Sequence, residues 1–183
     1  GGTSELLLVK SVETGFDIDL IGKSLDIPAG QFVDRIGVAM GLSFPAGPHL
    51  EKLAASGTGS ITLAARVKGL DVSFSGPETQ GRRLVKENIP FSEVAYAVYD
   101  LLIRVVGKWI LHAVDLGYPN EVLLVGGVSS SKIFRQGLQE RLKKRNRTIQ
   151  LFFADPKLSK DNAVGTALLG LQVYQLDNMK KGK

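Results

Sequence analysis

Two adjacent glycines, Gly126 and Gly127, follow the apolar run EVLLV (121–125) and precede three serines and a helical pattern. Without a Cβ, such a turn lets backbone approach a ligand closely, and the amides opening the next helix suit an anion. The same outline serves equally as a tight strand-to-helix turn, with Ser129 or Ser130 capping the helix. Neither the dinucleotide signature G-x-G-x-x-G nor a P-loop is present. GLSFPAGPHLEKLA (41–54) is a second place of this kind, either a ligand approach or a structural corner. Asp161 and Asn162 stand just before the last helical pattern, where they would cap it or face a cleft.

His49 and His112 are the only histidines, and no H-x-x-x-H pair exists. A metal site built wholly within this chain is therefore not expected. The absence of H-E-x-x-H and of G-x-S-x-G leaves metallopeptidase and serine-hydrolase chemistry without residues. A small-molecule kinase lobe would need a catalytic base, and none is identifiable.

The elements that would position these residues follow from periodicity. LLLVK (6–10) and DIDLIGKS (17–24) read as strands joined through Gly15. Phe32, Val33, Ile36 and Met40 recur at helical spacing between Pro28 and Gly41. FPAGP (44–48) reads as a rigid turn before a short helix. SITLAARV and LDVSFS, between 60 and 75, predict a hairpin around Lys68-Gly69, and 77–88 a weaker helix. The strongest helix spans 92–117, with Val94, Val98, Leu101, Leu102, Val105, Trp109 and Ile110 on one stripe and a Gly117/Pro119 stop. EVLLV, SKIFRQGLQERLKKR and IQLFFAD then predict strand, helix and strand, and 162–176 an apolar helix that closes the fold. Hairpin first and strand–helix pairs last predict an α/β fold, a mixed sheet flanked by helices.

The chain has 183 residues, 44% hydrophobic and 22% charged, enough for one domain with a real core. No run of eighteen apolar residues occurs, so no membrane association is expected. The absence of cysteine removes disulfides and thiolate ligands and fits a cytoplasmic location. The opening GGTSELLLVK, which starts within a Gly-Gly turn and lacks a signal-peptide layout, reads as a piece of a longer protein or as a tag scar. The net charge is +5, with Arg141, Lys143, Lys144, Arg145 and Arg147 crowding one helix end and Lys180, Lys181 and Lys183 the tail. Such cations either meet phosphate-rich partners or are simply solvated, those at the helix end also favouring its dipole.

Taken in order, GGTSELLLV, GKSLDIPAGQFVDRIGVAMGLSFPAGPHLEKLA, VSFSG, LLVGGVSSSKIFRQGL and FADPKLSKDNAVGTALLG resemble one family. It is the tRNA threonylcarbamoyladenosine synthase family, long called O-sialoglycoprotein endopeptidase or glycoprotease. The likeness covers the C-terminal half of such a protein. It implies a ribonuclease-H-like lobe of the actin, chaperone and sugar-kinase superfamily over 1–176, with 177–183 as a basic flexible tail. It also implies an ATP or AMP-type adenylate as ligand, iron or zinc as metal, a missing N-terminal lobe, and tRNA as substrate. By the resemblance, Gly2 and Ser4 belong to the glycine-rich turn near the phosphates. Asp34 faces the ribose, Gly47 the nucleoside, and Gly126, Gly127 and Ser131 the adenosine side, while Asp161 is the metal ligand this half contributes.

The sequence departs from the family at several of these contacts. Thr3 stands for His, Ile27-Pro28 for Asp-Ala, Gln31 for Glu, Pro77-Glu78 for Leu-Lys, and Ser131 for Asn. Each altered contact to a buried ligand group would cost ~1 kcal/mol or more. Two expectations follow. One is a divergent transferase-like lobe acting by positioning and electrostatics, since no side-chain nucleophile is evident. The other is a non-catalytic partner or regulatory subunit that pairs with a related paralogue or with its own copy.

Overall fold

The structure, a computed structural model, describes residues 2–13, 15–145, 148–159 and 163–181. Strands β1 (Glu5–Val12) and β2 (Gly15–Lys23) form an antiparallel hairpin with a register shift between Leu6 and Leu7. Helices α1 (Ala29–Ala39) and α2 (Gly47–Ala54) follow. The short antiparallel pair β3 (Arg66–Lys68) and β4 (Asp71–Ser73) then leads into α3 (Ser75–Lys86) and the long α4 (Phe91–Asp115). The chain continues as β5 (Glu121–Leu124), α5 (Lys132–Lys143), β6 (Gln150–Phe153) and α6 (Ala163–Lys181), with β5 and β6 parallel.

Helix α4 organises the core. Its stripe of Val94, Val98, Leu101, Leu102 and Val105 is buried against Phe32 and Ile36 of α1, Leu50 of α2, and Phe134 and Leu138 of α5. The Phe32 and Phe74 rings stack with centroids 5.7 Å apart. The expected stop holds: Gly117 takes φ +91°, and Tyr118 N–H donates back to Ala113 O, a Schellman closure.

The strands combine antiparallel and parallel pairing, as expected of a mixed α/β lobe, but they pair off in twos. A bridge between Ser24 and Val72 and the Lys23 N–H to Asp71 bond link β2 to β4. The hairpin expected over 60–75 is much shorter than its alternation suggested. Side chains satisfy the backbone of 58–64 instead: Glu93 accepts from the amides of Thr58, Gly59 and Ser60, Gln80 accepts from Ala64 N–H, and Arg104 donates to Leu63 O. Side chains from distant helices thus take the place of part of the strand pairing expected over 60–65.

Helix α6 also departs from expectation. It forms, and it runs through 177–181 of the basic tail. It does not close the core: Leu168 and Tyr174 are 60% and 65% exposed, and α6 touches β2. The hairpin is similarly bare on one face, where Leu7, Val9, Phe16, Ile18 and Leu20 are all exposed and cross-strand neighbours. Apolar patterning reports that a face is to be buried, not that this chain buries it.

Candidate functional site

Asp34, midway along α1, points its carboxylate at the next connection. Its Oδ1 accepts from Ala46 N–H at 2.8 Å, fixing the FPAGP turn to α1. That turn carries a cis Phe44–Pro45 bond and delivers Gly47 to the start of α2. Gly47 O accepts from Tyr99 OH of α4 at 3.1 Å. A Cβ at Gly47 would make only an ordinary contact, 3.7 Å from Val33 Cγ1, so packing within the chain does not itself require glycine there.

One turn further along α2, Glu51 reaches across to the GGVSSS loop. Its Oε1 accepts from Ser131 Oγ at 2.9 Å and from Ile133 N–H at 3.1 Å. Ser131 Oγ in turn accepts from Phe134 N–H at 3.2 Å, so Ser131 is the cap of α5. This corrects the reading of Ser129 or Ser130 as the cap. A 3₁₀ turn over Val128–Ser130 intervenes, and the hydroxyls of Ser129 and Ser130 instead donate back to Gly126 O. Gly126 takes φ +99°, which L side chains rarely adopt, and both Gly126 and Gly127 border open space. Arg135 holds the far side of the loop, donating to Ser129 O and Ala154 O while its guanidinium lies 5.0 Å over the Phe153 ring.

Asp34, Gly47, Glu51, Tyr99 and Ser131 thus form one connected cluster drawn from α1, α2, α4 and the loop before α5. The Tyr99 phenol feels all of it. Burial pushes its pKa far above the ordinary value, the negative charges of Glu51 and Asp34 add to the rise, and Ser131 opposes it. Tyr99 therefore serves as a neutral donor and not as a base. Glu51 and Tyr99 carry no motif of their own in the sequence; a glutamate spaced to cap a helix across the fold leaves no local signature. Replacing Ser131 with alanine removes an N-cap and one partner of Glu51, and should lower stability by about 1 kcal/mol in a urea titration.

Gly2 is exposed, and a Cβ there would meet open space. Ser4 Oγ accepts from Ala29 N–H at 2.9 Å, which sets this turn beside the N-terminus of α1. Asp34 also lines a groove of about 440 Å³ with Gln31, Arg35, Arg82 and the highly exposed Phe44. The Glu78 carboxylate is neither free nor unbalanced: Arg35 and Arg82 pair with it at 3.0 and 3.3 Å. The expected metal ligand, Asp161, lies outside the described residues. Among the described residues no three His, Cys, Asp or Glu side chains come together to hold an ion.

A second carboxylate cluster supports these positions. Asp26 accepts from Ile27 N–H at 2.7 Å, Phe74 N–H at 2.8 Å and Ser75 Oγ at 2.5 Å, and also from Ser73 Oγ. It ties the connection entering α1 to the one entering α3.

Over residues 1–168 the chain matches the family model of tRNA N6-adenosine threonylcarbamoyltransferase. The chain belongs to this family. Among curated relatives, the tRNA N6-adenosine threonylcarbamoyltransferase of Thermococcus sibiricus is 34% identical over 183 residues, and that of Thermococcus gammatolerans 31% over 179. The match takes in 96% and 95% of this chain and 52% of each relative. A probable bifunctional tRNA threonylcarbamoyladenosine biosynthesis protein of Thermoplasma volcanium is 30% identical over 85% of the chain and 29% of its own length. The chain thus spans about half the length, or less, of these relatives. Among solved structures, HypF of T. kodakarensis superposes with a TM-score of 0.57 at 16% identity, over 77% of this chain and 18% of that one. An activator of 2-hydroxyisocaproyl-CoA dehydratase from Clostridium difficile, solved with ADPNP, gives 0.54 at 13%, over 92% and 53%. At these identities the two likenesses show the fold alone, a mixed α/β arrangement.

Proposed function

We propose that this chain is the adenylate-binding lobe of a divergent threonylcarbamoyltransferase-like protein, with tRNA as the acceptor and the cytoplasm as its location. The observation that carries this reading is convergence. The Asp34 helix and the Gly47 turn, consecutive in the chain, are joined through Tyr99, Glu51 and Ser131 to the far later loop that carries Gly126 and Gly127. An ATP or AMP-type adenylate would set its ribose hydroxyls against Asp34 and its nucleoside against Gly47, Gly126 and Gly127. The turn of Gly2 and Ser4 would face phosphate beside the α1 N-terminus.

This chain's residues would act by binding and orientation. Tyr99 is a neutral donor held to Gly47 O, Glu51 is held by Ser131 and Ile133, and neither is placed as a nucleophile. Asp161 would be the one metal ligand contributed here, iron or zinc needing the rest of its ligands from an N-terminal lobe. The bare apolar faces of the β1–β2 hairpin and α6 suit burial against such a lobe.

Isothermal titration of the full-length protein with ATP and with AMP tests the reading. Saturable binding is expected, weakened at least about tenfold by Asp34→Ala, which removes a ~1.4 kcal/mol charge-assisted contact. No binding at millimolar nucleotide would overturn it. The other reading, a non-catalytic subunit that keeps the fold for association with a paralogue or a second copy, draws on Ser131 and Ser4. Their hydroxyls serve Glu51, Phe134 N–H and Ala29 N–H within the fold, and so offer less to a ligand. A stable partner complex without nucleotide binding would select it.

A further inference from the structure

A second groove, of about 480 Å³, lies along the C-terminal half of α4, away from Gly47 and Ser131. Arg104, Lys108 and His112 succeed one another along one face of the helix, roughly 6 Å apart in rise. Arg141 and Arg145, at the C-terminal end of α5, form the facing wall, with Asp115 as the one carboxylate among the lining residues. Val105, Leu111 and Val67 supply an apolar floor.

The arginines are set in place by the fold. Arg104 Nε donates to Asp100 at 2.7 Å and its terminal nitrogen donates to Leu63 O at 2.8 Å, so its guanidinium is fixed before any ligand arrives. Arg141 crosses α4 at Gly107, where a Cβ would come within 3.0 Å of Arg141 Cδ and 3.3 Å of Nε. Glycine within a helix costs about 1 kcal/mol relative to alanine, and here it makes the room through which that arginine passes. Arg141 Nε is buried with no hydrogen-bond acceptor, alone in this among the buried side-chain nitrogens and oxygens of the described residues. A buried donor without an acceptor is costly, so the fold holds Arg141 in the groove wall at some loss of stability.

We propose that this groove binds the phosphodiester backbone of RNA. Guanidinium forks match phosphate oxygens, and cations on both walls, Arg104 and Lys108 of α4 facing Arg141 and Arg145, suit the successive charges of a strand better than a single small anion. Lys143 and Lys144 prolong the positive surface beyond the groove at the end of α5. The choice of RNA rests on the tRNA reading above. The charge and the unpaired Arg141 donor do not.

The test is fluorescence anisotropy of a short labelled RNA with the full-length protein across a salt series. Lys108 and Arg145 are both exposed, so Lys108→Gln/Arg145→Gln leaves the core untouched. Relative to the parent, this variant should bind at least about tenfold more weakly at low salt. Its slope of log K against log salt should be shallower by roughly 1.4–1.8, the contribution of two phosphate contacts. The charge-matched Lys52→Gln/Lys86→Gln should keep both affinity and slope. Unchanged affinity and slope in the groove variant, equal losses in the control variant, or equal competition by polyglutamate would each overturn the proposal. Because the readout is RNA affinity, the outcome is separable from the nucleotide titration.

Discussion

Replacing Asp26 with alanine is expected to lower the stability of the fold by about 3 kcal/mol, seen as a fall in Tm of roughly 6–12 °C. The donors gathered on this carboxylate come from two separate connections, 24–27 and 73–75, which between them launch α1 and α3. Without it, the amides of Phe74 and Ser75 and two serine hydroxyls lose their acceptor together. The sum of their individual values overstates the loss, since the carboxylate is solvent-exposed and water replaces part of what is removed. Asp26→Asn should cost less, about 2 kcal/mol, because shape and one acceptor survive while the charge does not. The same carboxylate sets an acid limit. Partial burial pushes its pKa up, but the bonds from Ser73, Ser75, Phe74 and Ile27 outweigh this and hold it well below the ordinary 3.8. A group depressed in the folded state contributes stability above its unfolded pKa and loses it as pH falls toward the folded one. Glu93 follows the same sign: amide and hydroxyl donors of Thr58 and Ser60 lower it from 4.5 to about 2. Tm should therefore be level above pH 5 and fall steadily below about 4.5, with Asp26→Asn/Glu93→Gln flattening that fall. An Asp26→Ala protein melting with the parent would show the two connections to be held by other means.

Much of the framework could be read from periodicity alone. The α4 stripe, the Gly117 stop and the βαβ run from β5 to β6 follow from local patterns that tertiary contacts reinforce. What could not be read was the destination of each polar group. SITLAARV alternates like a strand, yet its neighbourhood is held by Glu93, Gln80 and Arg104, each many residues away. Alternation records which side chains face inward and is blind to a carboxylate arriving from another helix to satisfy the amides. The same limit applies to the candidate site. The co-linear motifs pointed to Asp34, Gly47 and the Gly126–Gly127 loop, but not to Glu51 and Tyr99, the side chains through which α2 and α4 bind them into one cluster. Nor does an apolar helix announce its partner: α6 has the composition of a core element, and most of its apolar side chains stay exposed.

Gly22→Ala should be severely damaging for a single added methyl group, at about 3 kcal/mol. A Cβ at Gly22 would lie 2.0 Å from Leu70 O and 2.9 Å from Leu70 C, and a backbone carbonyl cannot swing aside as a side-chain end can. That carbonyl is already committed, because Trp109 Nε1 of α4 donates to it at 2.6 Å. Gly22, Leu70 and Trp109 are thus three layers of one seam, in which β2, the β3–β4 turn and α4 approach through a single acceptor. Pushing Leu70 away opens the β2–β4 link and strips the indole of its partner in the same movement. Trp109→Phe, which keeps most of the buried ring and leaves Leu70 O without its donor, should cost about 1–3 kcal/mol. If both substitutions act on the one carbonyl, the double variant loses less than their sum, by about 0.5 kcal/mol or more in a urea-denaturation cycle. Strict additivity would mean that the hairpin yields to the new methyl group without moving Leu70. A Gly22→Ala loss under about 1 kcal/mol would mean the same, because overpacking a fixed backbone contact costs at least that much. In either case the β1–β2 hairpin would be only loosely joined to α4, and with it the Gly2–Ser4 turn that precedes β1 would lose its fixed position beside α1.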